Sequence, residues 1–138
     1  MITVPDDIPC NDLLNRIIAG LDSIQKVIDT IDEELSTLRD AGVFLSREGK
    51  PVVPTWWERK DEGRTVGWYL NWPTWYAQQE AGKQRWREYI RKEHLEETRA
   101  KVERSKQYVT LENERARLQG KLASARSDLK GTVDWFRW

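Results

Sequence analysis

The sequence predicts an α+β protein: a long antiparallel two-helix coiled-coil hairpin with a small Trp-rich three-stranded antiparallel sheet inserted at its tip. Three observations predict it. A near-perfect heptad fills the first third of the chain, a charged stretch without proline fills the last third, and six of the eight Trp lie between them. The 138 residues suit a single domain over 1–138 with one core. Its parts are an N-terminal arm (1–11), a first helix (12–41), a β insert (43–91), a second helix (92–130) and an aromatic tail (131–138).

In the first helix, Leu14, Ile17, Leu21, Ile24, Ile28, Ile31, Leu35 and Leu38 alternate spacings of three and four. That period of 3.5 keeps one apolar seam turned toward a partner helix. Asn11 or Asp12 can cap its start, and Gly42 can supply a left-handed residue at its end. Ile18 and Val27 flank the seam and widen it enough to serve a further protein surface. The same heptad would also serve a homo-oligomer through this helix.

The insert carries the strand signals. Pro51 and Pro54, the β-branched Val52 and Val53, and the turns Asp61-Glu62-Gly63 and Ala81-Gly82-Lys83 bound strands at 55–60, 64–72 and 84–90. Pro73 has no ladder donor, so the chain leaves the sheet there, with Trp75 and Tyr76 in the loop that follows. Alternation puts Val66, Trp68, Leu70 and Trp72 on one face and Thr65, Tyr69 and Asn71 on the other. On the third strand Trp86, Glu88 and Ile90 share a face, opposite Arg85, Arg87, Tyr89 and Arg91. Trp56 and Trp57 are adjacent and must face opposite ways.

In the second helix Leu118, Leu122, Ala125 and Leu129 keep the seam spacing, whereas Ser105 and Arg115 fall near core positions and suggest a drift in register. Gly131 is the expected stop. Beyond it Trp135, Phe136 and Trp138 either fold back onto the helix and arm or dock on a protein partner.

Charge is unevenly placed although Lys+Arg and Asp+Glu both total 23. Residues 1–42 hold three basic and nine acidic side chains, and residues 43–92 hold ten basic and six acidic. Arg59, Lys60, Arg64, Tyr69, Lys83, Arg85, Arg87, Tyr89, Arg91 and Lys92 would form a basic, aromatic sheet face. Phosphates are bound by Lys and Arg, and bases stack on aromatic rings or guanidinium planes, so the pattern points to nucleic acid, DNA in preference to RNA. An acidic protein partner or a plain solvated face would use the same residues.

Catalysis finds no support. His94 is the single His and Cys10 the single Cys, which excludes a zinc cluster of Cys ligands and any intrachain disulfide. No phosphate-binding loop, dinucleotide fingerprint or calcium loop occurs. No metal, no cofactor and no catalytic residue is therefore assigned. No apolar run approaches the ~20 residues of a membrane span, and the acidic start lacks a signal-peptide layout. The expectation is a cytoplasmic protein with no membrane partner.

The run from Gly67-Trp68-Tyr69-Leu70 to Gly82-Lys83-Gln84-Arg85-Trp86-Arg87-Glu88-Tyr89-Ile90-Arg91-Lys92-Glu93-His94-Leu95 resembles an uncharacterised prokaryotic helical-hairpin family. In that family an aromatic strand and a Gly-Lys turn precede a short basic strand and a long charged helix, and this chain lacks its Cys-rich strand motif. The resemblance implies a hairpin with a strand insert, tied to mobile elements. A looser similarity to the three-stranded arm-binding domains of tyrosine recombinases also favours DNA. Together these readings describe a non-enzymatic nucleic-acid-binding accessory protein, a subunit of a larger nucleoprotein complex. The alternative is a structural coiled-coil adaptor recruiting proteins through the helix seam and the tail.

Overall fold

A computed structural model describes residues 4–8, 10–81 and 87–136, of which 78–81 and 136 are described by their backbone alone. The fold is α+β, with two long helices and a small three-stranded antiparallel sheet. The elements are α1 (Asn11–Ala41), β1 (Thr55–Asp61), β2 (Arg64–Asn71), α2 (Thr74–Ala81), β3 (Arg87–Ile90), a 3-10 turn (Lys92–His94) and α3 (Leu95–Phe136). The chain divides into two compact units, Met1–Leu35 with Leu111–Trp138, and Ser36–Thr110. Among the described residues no helix is long and apolar enough to cross a membrane.

In the first unit α1 starts within a residue of its expected position. Cys10 precedes it in a left-handed conformation (φ 60°), and its carbonyl accepts the Leu14 N–H at 3.0 Å. The arm turns back upstream of this point, with the Ile8 N–H on the Pro5 carbonyl at 3.2 Å. Val4 and Ile8 are thereby buried against Leu14, Leu129 and Val133, with Ile18 and Leu21 packed alongside. Farther along, Asp22 lies 3.6 Å from Arg126, and Asp32 accepts from Arg115. Numbers rise along α1 as they fall along α3, so the paired segments run in opposite directions. The Asp32 hydrogen bond holds the Arg115 guanidinium above its usual range, and Arg117 holds the Glu114 carboxyl below the ordinary carboxylate range.

Gly131 does not stop the second long helix, which runs through it to Phe136. The reason lies four residues past Leu129: Val133 extends the seam and is buried in the arm cluster. Burying a Val-sized side chain contributes ~1.5–3 kcal/mol, more than the ~1 kcal/mol that a helical Gly costs. A Cβ at Gly131 would meet nothing within 4 Å. Gly131→Ala should therefore raise stability by about 0.4–1 kcal/mol, read as a higher urea midpoint at unchanged slope.

In the second unit α1 ends as its sequence requires. Gly42 is left-handed (φ 112°) and its N–H reaches the carbonyls of Leu38 and Arg39 at 3.0 and 3.2 Å. Its own carbonyl accepts from Arg104 Nε at 2.7 Å. Ser105, out of place in an apolar seam, is fully buried because it anchors the backbone that follows α1. Its hydroxyl accepts the Phe44 N–H at 2.9 Å and donates to the Lys101 carbonyl at 2.8 Å. Nearby the buried Tyr108 hydroxyl accepts from Arg39 at 2.8 Å. Ser105→Ala would leave the Phe44 N–H without its acceptor, at an expected cost of ~1–3 kcal/mol in urea unfolding.

The segment 43–54 buries Val43, Val52 and Pro54 and folds on itself, with the Val52 N–H on the Phe44 carbonyl at 2.9 Å. The sheet follows in the order β1-β2-β3. Asp61 and Arg64 flank a two-residue turn in which Glu62 and Gly63 both have positive φ, 49° and 78°. Such turns match the twist of a β-hairpin. Arg59 pairs with Gly67 but Lys60 pairs with Thr65, so Val66 is an unpaired bulge and exposed, away from the apolar face on which alternation placed it. Leu70, Ile90 and Val102 of α3 form the buried centre, edged by Phe44, Trp56, Trp68, Trp72 and Leu95.

The expected loop at Trp75 and Tyr76 is a helix, α2. Pro73 stands at the N-cap of this helix, immediately before Thr74, and its carbonyl accepts the first intrahelical bond, from the Ala77 N–H at 3.0 Å. Of the third strand, residues 87–90 are paired as expected, while 84–86 lie outside the described residues.

Candidate nucleic-acid interface

Register fixes which side chains share the face turned away from α3. Thr55, Asn71 and Arg87 are aligned across the three strands, and Trp57, Tyr69 and Tyr89 form the next row. Arg59 and Gly67 make the third. The ring centroids of Trp57 and Tyr69 are 5.2 Å apart, and those of Tyr69 and Tyr89 are 5.5 Å apart. The result is one aromatic per strand in a continuous row. Tyr89 is 58% exposed, high for a ring of that size.

Gly67 shapes this row. It is buried, and a Cβ there would sit 3.2 Å from Tyr69 Cε2 and 3.4 Å from Tyr89 Cε2. Both tyrosine rings therefore lean over its backbone, filling space that any other residue would occupy. Gly67→Val should push the rings apart without touching a charge, visible as a changed near-UV circular dichroism signal.

The charges are sorted as cleanly as the rings. Glu58 stands opposite Trp68 and Glu88 opposite Leu70, so these two carboxylates lie on the face toward α3, while Asp61, the third strand carboxylate, sits at the hairpin end opposite Arg64. There Glu88 accepts from Trp72 Nε1 at 3.1 Å, and Glu58 accepts from the Thr65 hydroxyl. The aromatic row keeps Arg59 and Arg87 beside it, both exposed. The Arg87 guanidinium lies over the Trp57 ring at 4.5 Å from its centroid, two strands from its own backbone. On the other face Arg99 of α3 lies 5.2 Å from both Trp56 and Trp68. The Trp56 indole N–H and Asn71 Oδ1 are buried without a hydrogen-bond partner.

The ten basic and aromatic residues singled out from the sequence are thus placed unequally. Arg59, Tyr69, Arg87 and Tyr89 are together on one face. Lys60 is not with them: the bulge pairs it with Thr65, whose hydroxyl reaches Glu58 on the opposite face. Thr65 moves for the same reason. Arg64 pairs with Asp61 at the hairpin end. Arg91 is exposed in extended conformation just past β3, and Lys92 opens the 3-10 turn. Lys83 and Arg85 lie outside the described residues.

Trp57 is the functional candidate that sequence pattern did not assign, since alternation said only that Trp56 and Trp57 diverge. Of the proposed protein-contact residues, Ile18 is half-buried against the arm cluster and Val27 is exposed on α1. Trp135 is 71% exposed on the last turn of α3. The Phe136 side chain and Trp138 lie outside the described residues. Among the described residues no three His, Cys, Asp or Glu gather where they could hold a metal ion. No family model, no curated protein and no solved structure matches this chain.

Proposed function

We propose that the protein is a non-enzymatic nucleic-acid-binding accessory protein that uses the sheet face bearing Trp57, Tyr69 and Tyr89. One observation carries the reading: an aromatic from each strand lies in a row beside arginines, while Glu58 and Glu88 occupy the opposite face and Asp61 stands apart at the hairpin end. Arginine supplies phosphate contacts with counterion release, and the rings offer π-surfaces to bases. Coiled-coil pairing of the two long helices, with the Trp-rich sheet between them in sequence, belongs to the same reading. It is supported by the opposed ion pairs Asp22–Arg126 and Asp32–Arg115.

The test is a salt titration of binding to fluorescently labelled oligonucleotides, single-stranded and duplex, followed by anisotropy. Binding that weakens linearly with the logarithm of salt is expected, with a slope near −0.7 (single strand) or −0.9 (duplex) per phosphate neutralised. Absence of binding at 50 mM salt would overturn the proposal.

A second reading, an adaptor for protein partners or a homo-oligomer, is favoured by a separate feature of α1. Leu13, Ile17 and Val27 are 55, 43 and 50% exposed. With Gly20 and Ile24 they follow a 4-3-4-3 spacing that borrows Ile17 and Ile24 from the expected seam. Leu14, Ile28, Ile31 and Leu35 are the buried members of that seam, and Ile17 is exposed instead. Under that reading Ile17→Asp with Val27→Asp abolishes concentration-dependent assembly in sedimentation velocity.

A further inference from the structure

We infer that the Trp57–Tyr69–Tyr89 row takes the bases of a single-stranded nucleic acid, and that Arg87 stands in the free protein on the ring face a base would occupy. The inference rests on the nucleic-acid reading and narrows it. A duplex presents phosphates on its outside and keeps its bases stacked inside, so a row of rings would meet nothing it could stack upon. A single strand has splayed bases, each with a π-face. The row spans all three strands and is held from beneath by Gly67, so its rings are positioned before any ligand arrives.

Arg87 gives the site its second feature. Its backbone is on β3, yet its guanidinium lies on Trp57 of β1, so the side chain crosses β2 at the level of Asn71. At 4.5 Å from the ring centroid there is no room for a base in between, because each stacked contact needs ~3.5–4 Å. A base reaching Trp57 must therefore lift the guanidinium. The displaced group keeps two favourable uses, stacking on the outer face of the same base or pairing with the adjoining phosphate. Arg87 is thus a cover that becomes a ligand contact. No carboxylate of the three paired strands shares its row or the aromatic row; Asp61 lies beyond the Arg59 row, at the hairpin end opposite Arg64.

The discriminating experiment compares four labelled probes of equal length at one low salt concentration: oligo(dT), oligo(rU), an abasic deoxyribose-phosphate strand, and a duplex. Oligo(dT) or oligo(rU) should bind at least about tenfold more tightly than the abasic strand and the duplex. The tighter of the two identifies the sugar the site prefers. Tyr89→Ala should weaken oligo(dT) binding roughly 5- to 150-fold and leave the abasic strand unaffected, while Tyr89→Phe restores it. Arg87→Lys keeps the charge but loses the plane, and should also weaken oligo(dT) more than the abasic strand. Equal binding of abasic strand and oligo(dT), or preference for the duplex, would overturn the stacking inference while leaving phosphate binding in place. Failure of all four probes to bind would remove the nucleic-acid reading itself.

Discussion

Reversing Arg59, Arg87 and Arg91 to glutamate together is expected to abolish polynucleotide binding at 100 mM salt while the protein remains folded. All three are exposed, and among the described residues Arg87 alone of the three lies over a ring, worth ~0.5–1 kcal/mol at such a site. Each reversal removes one phosphate contact and adds a repulsive charge, so a loss of at least about 100-fold follows with the salt slope falling toward zero. The matched control is reversal of Arg16, Lys26 and Lys130, exposed on the long helices, which changes net charge by the same amount. Equal losses in both variants would mean that overall charge, not this face, governs binding. Anisotropy at two salt concentrations reads both quantities.

Leu70→Ala carries the largest expected effect on stability. Leu70 is buried at the centre of the sheet, in contact with the cluster of Ile90 and Val102, and Trp56, Trp68 and Trp72 close around it. Truncation there removes buried surface and leaves a cavity that large flat rings collapse into poorly. A cost of ~2–5 kcal/mol is expected, a large share of the 5–15 kcal/mol typical of a domain. Leu70→Met keeps the volume and should cost less than ~1.5 kcal/mol. Tyr69 immediately precedes Leu70 on the same strand, so Leu70→Ala should weaken oligonucleotide binding as the sheet loosens. Leu70→Met should not.

Much of the fold was legible because it rests on periodicity. The heptad from Leu14 to Leu38 placed α1 within a residue of its observed limits, and Gly42 ended it by the expected left-handed geometry. The turn at Glu62-Gly63 and the face shared by Tyr69 and Asn71 also follow from local chemistry. What could not be read depends on one residue. A regular ladder about that turn pairs Trp56 with Tyr69, whereas the bulge at Val66 slips the register and pairs Trp57 with it. The same slip moves Lys60 and Thr65 to the other face. Composition does not announce a bulge, so the identity of the outward Trp was hidden. Two other misreadings had usable signals. Pro73 followed by Thr74, Ala77, Gln78, Gln79 and Glu80 carries a helix start and good helix formers, and Val133 continues the spacing of Leu122 and Leu129 past a glycine too weak to break it. Ser105 had none, because a serine that ties down a distant backbone N–H looks the same in sequence as one facing water.

Among the described residues the order β1-β2-β3 leaves a sheet whose outer strands, β1 and β3, each pair on one side. Open rims recruit strands from neighbouring molecules and so seed aggregation. Here β1 ends in Glu58-Arg59-Lys60-Asp61, a run of four charges beside a bulge, and among the described residues β3 pairs over four. Charge and local twist blunt the rim that β1 forms. The rim nearest Trp57 is thus the charged and bulged one, so a strand from a neighbour drawn to the rings would meet Glu58-Arg59-Lys60-Asp61 before any regular ladder.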